Sequence, residues 1–112
     1  MRYRILTLLV VFLAHYAWSE IFTVTAYCPC KKCCGRWSGG PTASGIMPAE
    51  KITVSGPRRF RFGAWVEIEG IGKRQIQDRL AKRFDNRFEI YFQNHEEAKK
   101  FGKQKLNVTI LK

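Results

Sequence analysis

The sequence predicts a small, mainly β protein in which six short strands and one late helix close around a single core. Three observations predict it. Short segments rich in β-branched and aromatic residues alternate with period two. Turn residues separate them, and no strand–helix–strand alternation, which a doubly wound parallel sheet needs, is present. At 112 residues, 46% hydrophobic and 26% charged, the chain has the size and composition of one globular domain. Disordered, collagen-like and low-complexity classes are excluded.

The strands follow in order. Ile21 to Tyr27 alternates, with Phe22, Val24 and Ala26 on one side. Cys28 to Ser44 gathers Gly and Pro among cysteines and reads as a structured loop. Ile52 to Ser55 is a short strand. Ala64, Val66 and Ile68 alternate with Trp65, Glu67 and Glu69, and Gly70-Ile71-Gly72 closes that strand. Arg74 to Asp78 turns Ile76 inward. Phe88, Ile90 and Phe92 share a face opposite Glu89 and Tyr91, and Leu106, Val108 and Ile110 form the last strand. One helix stands before it. Asn94 caps it, Glu96 and Glu97 suit its positive end, and Lys99 and Lys100 suit the other. Gly102 stops it, and Ala98 and Phe101 supply its inward stripe.

Residues 1–19 read as a signal peptide rather than as part of the domain, which then spans 20–112. Arg2 and Arg4 precede an apolar run from Ile5 to Ala14, followed by the small-x-small triplet Ala17-Trp18-Ser19. The run is too short for the roughly 20 residues of a bilayer span, so no lasting membrane span is expected. The expected location is therefore secreted, periplasmic or otherwise in the cell envelope. Cleavage after Ser19 removes two of the positive charges and no negative one. The chain stays strongly basic, since Lys and Arg number 20 against nine acids. A polyanionic partner is expected. An exported chain without a helix-turn-helix or an aromatic-basic RNA motif is not expected to bind nucleic acid. A monomer is expected.

The four cysteines fall at Cys28, Cys30, Cys33 and Cys34. Disulfides are the favoured reading, since export permits them. A Cys33–Cys34 bond is poor, because adjacent Cα atoms lie ~3.8 Å apart. The pairings left are 28–33 with 30–34 and 28–34 with 30–33. The rivals are a zinc site made of all four thiolates and a thioredoxin-like Cys30-x-x-Cys33 pair. Structural zinc sites usually draw two ligand pairs from separated segments, and this cluster is one segment. Neither a metal nor another cofactor is expected. His95, in the first helical turn, reads as solvated.

Asp78 and Glu89 are the candidate catalytic residues. They lie on strands eleven residues apart, in a stretch crowded with Arg79, Lys82, Arg83 and Arg87. On antiparallel strands they can face one cleft, where a carboxyl group acts as general acid and then base towards a saccharide. The structural alternative makes Asp78 a turn-closing residue and Glu89 a surface partner of an arginine. Thr42 and Ser44, within Gly39 to Gly45, offer hydroxyl donors to a sugar, or equally serve the turn. Trp37, Trp65 and Tyr91 offer rings for stacking on sugars, or half-buried packing surface. Arg79 completes the candidate substrate contacts.

Val24-Thr25-Ala26-Tyr27-Cys28-Pro29-Cys30, then Cys33-Cys34-Gly35 and Thr42-Ala43-Ser44-Gly45, resembles the opening of a 3D (Asp-Asp-Asp) domain. Phe62-Gly63, Gly70-Ile71-Gly72, Asp78-Arg79, Asn86 to Phe92, Glu97-Ala98 and Phe101-Gly102 continue the resemblance in order. That family belongs to the RlpA-like double-psi β-barrels, with the catalytic barrel of membrane-bound lytic transglycosylase A. The resemblance implies a double-psi barrel and lytic transglycosylase-like cleavage of peptidoglycan glycan strands without a metal. Asp78 would be the acid and base, and Glu89 would polarise or orient. The alternative is a non-catalytic wall-binding module. Of the three family aspartates, the first falls near Ser55 or Gly56, where there is no carboxylate. The second matches Asp78, followed by Arg79-Leu80, and the third is Glu89.

Overall fold

A computed structural model describes residues 18–111. Six strands close into a barrel: β1 Trp18–Tyr27, β2 Thr53–Ser55, β3 Trp65–Ile68, β4 Gly72–Asp78, β5 Arg87–Tyr91 and β6 Gln104–Ile110. Their order around the barrel is β1-β5-β2-β4-β3-β6. The mainly β barrel expected from the alternation is what forms, with the expected helix between β5 and β6. The pairs β1–β5 and β2–β4 are parallel and the other four antiparallel.

Closure depends on the length of β1. Its first part, Trp18 to Val24, pairs with β6, and its last part, Thr23 to Tyr27, pairs with β5. One strand thus serves two neighbours in succession, overlapping at Thr23 and Val24, and so closes the barrel. Phe22 and Val24, Val54, Val66 and Ile68, Ile76, Phe88 and Ile90, and Val108 fill the interior. They are the inward positions of the period-two pattern. Phe88 packs edge-on to Phe22 at 4.9 Å between ring centroids and lies parallel to Phe60 at 6.0 Å.

The strand starts upstream of the expected domain boundary at residue 20. Trp18 and Ser19 pair with Ile110 and Thr109, the Trp18 ring lies 5.6 Å from Phe60, and Ser19 Oγ donates to Asn107 Oδ1 at 2.9 Å. These two residues pair within the barrel wall. The rest of the expected signal peptide lies outside the described residues. No helix among the described residues is long and apolar enough to cross a membrane.

Two short helices flank the strands. The cysteine segment, expected as a structured loop, holds a single α-turn, α1 Lys31–Cys34, followed by a 3₁₀ turn at Gly35–Trp37. The expected helix is α2 His95–Phe101. Asn94 Oδ1 accepts from the Glu97 amide at 3.1 Å, and Gly102 ends the helix at a φ of 68°. Ala98 is buried against the barrel, and Phe101 meets Phe92 at 5.9 Å.

Gly56 marks where β2 leaves the barrel. A Cβ there would lie 3.0 Å from Phe88 Cε1 and 3.1 Å from Ile76 Cδ1. Both neighbours are fully buried and have nowhere to retreat. Gly56→Ala is therefore expected to destabilise by about 1–3 kcal/mol through overpacking, a lowered melting temperature being the readout. A variant as stable as the parent would show that the wall gives way here.

Candidate functional site

The site begins with strand register. Val54, inside the barrel, pairs with Ile90 of β5 and Ile76 of β4. One residue later Ser55 pairs with Glu89 and, across a β-bulge, with Asp78. Glu89 in turn pairs with Thr25 of β1. Thr25, Glu89, Ser55 and Asp78 thus form one row over four neighbouring strands. The two carboxylates stand on either side of Ser55, two strand spacings or about 10 Å apart at their backbones. The bulge matters, because without it the β2–β4 register would set Gln77 opposite Ser55 and turn Asp78 away.

Asp78 is held at both oxygens. Oδ1 accepts from the backbone amides of Ala43 (3.0 Å) and Arg79 (2.9 Å), and Oδ2 accepts from the Tyr27 hydroxyl (3.0 Å). Tyr27 is buried, and its ring lies 5.4 Å from that of Tyr91. Burial and the neighbouring Asp78 charge push the Tyr27 phenol above the usual tyrosine range, so it remains a donor. The Thr42–Gly45 segment is what brings the Ala43 amide to Asp78. Thr42 Oγ1 donates to the Ile46 carbonyl at 2.7 Å and lies 2.9 Å from Ser44 Oγ, while the Ser44 amide donates to the Gln77 carbonyl at 3.2 Å.

Glu89 is held more loosely. Its Oε2 accepts from Thr25 Oγ1 at 3.1 Å. Burial raises its pKa, the Asp78 charge raises it further, and the Thr25 bond and Arg87 oppose this. Because the folded protein holds the proton more tightly than the unfolded chain, ionising Glu89 costs stability as pH rises from the ordinary carboxylate range through the raised value. Glu89→Gln is therefore expected to raise the melting temperature at neutral pH, with the gain shrinking as pH falls towards the ordinary range. A gain that is absent at neutral pH, or that grows towards acid, would contradict the shift.

The other expected substrate residues are placed differently. Tyr91 is buried against Tyr27 and presents no open ring face, so it is not a stacking platform. Thr42 is buried and structures its own turn. The guanidinium of Arg79 is engaged by the fold, donating to the carbonyls of Gly56 (3.1 Å) and Pro57 (2.9 Å) and lying 4.1 Å from the centre of the Phe62 ring. Trp37 and Trp65 remain exposed, Trp37 beneath Arg36 at 4.8 Å. A hollow of about 370 Å³ lies elsewhere, lined by Phe60, Ala64, Trp65 and Ile110 among others, and contains neither carboxylate.

The cysteines form no disulfide. All four are free thiols, against the expected pairings. Three of them meet His95, which sequence reasoning left in solvent. Cys28 Sγ lies 2.9 Å from Cys30 Sγ and 3.4 Å from Cys33 Sγ, and His95 Nδ1 lies 3.4, 3.3 and 3.7 Å from the sulfurs of Cys28, Cys30 and Cys33. Burial pushes the Cys28 thiol up, whereas the Cys28 thiol and the Cys33 amide hydrogen-bond Cys30 and pull it down. Cys34 turns aside and donates to the Cys28 carbonyl at 3.1 Å. Only the closeness of the four cysteines to one another was visible beforehand. A lone histidine 62 residues beyond Cys33 carries no local signal.

The described residues thus define a closed barrel of mixed strands that carries two carboxylates in one row and a thiol–imidazole cluster at the end of β1. Compared with known proteins, the chain matches no family model and no curated sequence.

Proposed function

We propose that this chain is an exported barrel of the 3D, RlpA-like type that cleaves peptidoglycan glycan strands by a lytic transglycosylase route. The observation that carries this reading is the row placing Asp78 and Glu89 on either side of Ser55. Two carboxyl groups in unlike environments are the recurring equipment of glycoside cleavage. The motif order quoted from Val24 to Gly102 and the strong excess of Lys and Arg over acids that remains after cleavage, suited to a wall bearing anionic peptides, support the same reading.

The environments favour roles opposite to those that the resemblance alone implied. Asp78 has both oxygens engaged by three donors, so it serves as a fixed negative charge facing the cationic sugar of the transition state. Glu89, buried and raised, carries the proton. Glu89 gives that proton to the glycosidic oxygen as the bond from C1 breaks. The resulting carboxylate then takes a proton from the sugar's own hydroxyl, whose oxygen closes on C1 to form an anhydro ring. Glu89 ends protonated again, and no water or metal is consumed.

Digestion of purified sacculi is expected to release muropeptides ending in anhydro sugars. Retention on sacculi with no soluble product would overturn the enzymatic reading in favour of a wall-binding barrel. Failure to bind or to digest would remove the glycan reading altogether.

A further inference from the structure

We infer that Cys28, Cys30, Cys33 and His95 form a structural zinc site of Cys₃His type, with Cys34 outside it. The four donor atoms all lie within 4.8 Å of one another. A tetrahedral zinc with ordinary bond lengths sets sulfur–sulfur distances at about 3.8 Å and sulfur–nitrogen distances at about 3.5 Å. The three sulfur–nitrogen distances, 3.3 to 3.7 Å, bracket that value. Two sulfur pairs are closer than this, Cys28–Cys30 at 2.9 Å and Cys28–Cys33 at 3.4 Å, and opening the tighter one by about 0.9 Å asks only for a side-chain rotation.

The donor set comes from two distant segments, as structural zinc sites require and as the cysteine cluster alone does not offer. Cys28 follows β1, Cys30 and Cys33 bracket the start and third residue of α1, and His95 opens α2. Three thiolates and one imidazole are a soft, tetrahedral set suited to zinc. The adjacent Cys33 and Cys34 stand on a helical turn, where successive side chains diverge by about 100°. Only one of them reaches the centre, and Cys34 is already bonded to the Cys28 carbonyl.

Such a site would pin the start of α2 and the cysteine loop to the end of β1. That loop returns to Pro29, whose carbonyl accepts from Ser38 Oγ at 2.6 Å and the Gly39 amide at 3.2 Å. Four residues beyond Gly39 it presents the Ala43 amide to Asp78. The inference stands on the cluster alone, whatever the barrel acts upon.

The test uses the full chain purified under reducing conditions. Elemental analysis and native mass spectrometry are expected to find one zinc per chain, and Co(II) added to the stripped protein is expected to give the intense visible bands of a tetrahedral thiolate site. With zinc bound, no more than one of the four thiols should react with a thiol reagent, and chelation should expose the rest. Cys34→Ser should keep the full stoichiometry, while Cys30→Ser and His95→Ala each weaken binding by about tenfold or more. The inference is overturned by substoichiometric metal in the reduced parent, by an octahedral Co(II) spectrum, or by two disulfides in the intact mass. Equal losses in Cys34→Ser and Cys30→Ser would overturn it as well. The thiol count on the parent protein needs no variant to fold.

Discussion

Glu89→Gln is expected to lower the release of anhydro products from sacculi by about 10²–10⁴-fold, the usual worth of a positioned general acid. The amide keeps the size of the side chain and can still meet Thr25, so binding to sacculi should persist while turnover is lost. Asp78→Asn acts differently. An amide at this position must turn its NH₂ towards the Tyr27 hydroxyl or towards the amides of Ala43 and Arg79, all of which now donate to it. Turnover should fall, and the remaining activity should titrate differently. The Asp78 charge raises the Glu89 pKa, so removing it lets Glu89 ionise earlier, and the alkaline limb of the pH–rate profile moves to lower pH. A Glu89→Gln enzyme within a few-fold of the parent would return the acid's role to Asp78 or abolish the mechanism. An unmoved alkaline limb in Asp78→Asn would show that the two carboxylates do not share a field.

Phe88→Ala is expected to be the most damaging core substitution, at about 3–5 kcal/mol. Phe88 is wholly buried, touches Phe22 and Phe60 through its ring, and forms one wall of the tight space at Gly56. A closed barrel cannot collapse onto the vacated volume without shifting strand register, so most of the cavity remains. Domains of this kind have only about 5–15 kcal/mol in hand, and the melting temperature should fall by about 10 °C or more. Thermal unfolding followed by circular dichroism measures this, and a fall of only a few degrees would show that the barrel relaxes around the gap. Because β5 also carries Glu89, loss of activity in this variant would say nothing of chemistry unless folding were measured beside it.

The strands were legible because inward and outward residues alternate, and that alternation is local. Val66 and Ile68 against Trp65 and Glu67 need no partner to be recognised. The α2 helix was legible for the same reason, since Asn94, Glu97 and Gly102 act within a few residues of one another. The extent of β1 was less so. Trp18 and Ser19 look like the end of an export signal when read along the chain, and only β6 opposite them shows that they are barrel wall.

The candidate site was half legible. Asp78 and Glu89 stood out as acids in basic surroundings, and the strand row brings them beside a common neighbour. Tyr91, Thr42 and Arg79 carried plausible sugar-binding chemistry, yet each spends its polar group or ring on the fold. Whether a ring is a platform or a wall depends on what packs over it, and Tyr27 covers Tyr91 from another strand.

From the chain alone came the β class, the order of the elements, the inward residues, the basic charge and the closeness of the four cysteines. These follow from side-chain periodicity and covalent neighbourhood, which act over a few residues. Tertiary structure decided that Ser55 separates the two carboxylates, that a bulge turns Asp78 into the row, and that His95 replaces Cys34 beside the other three thiols. Each of these joins residues dozens of positions apart, and such meetings are made only when the barrel closes and sets the register of its strands.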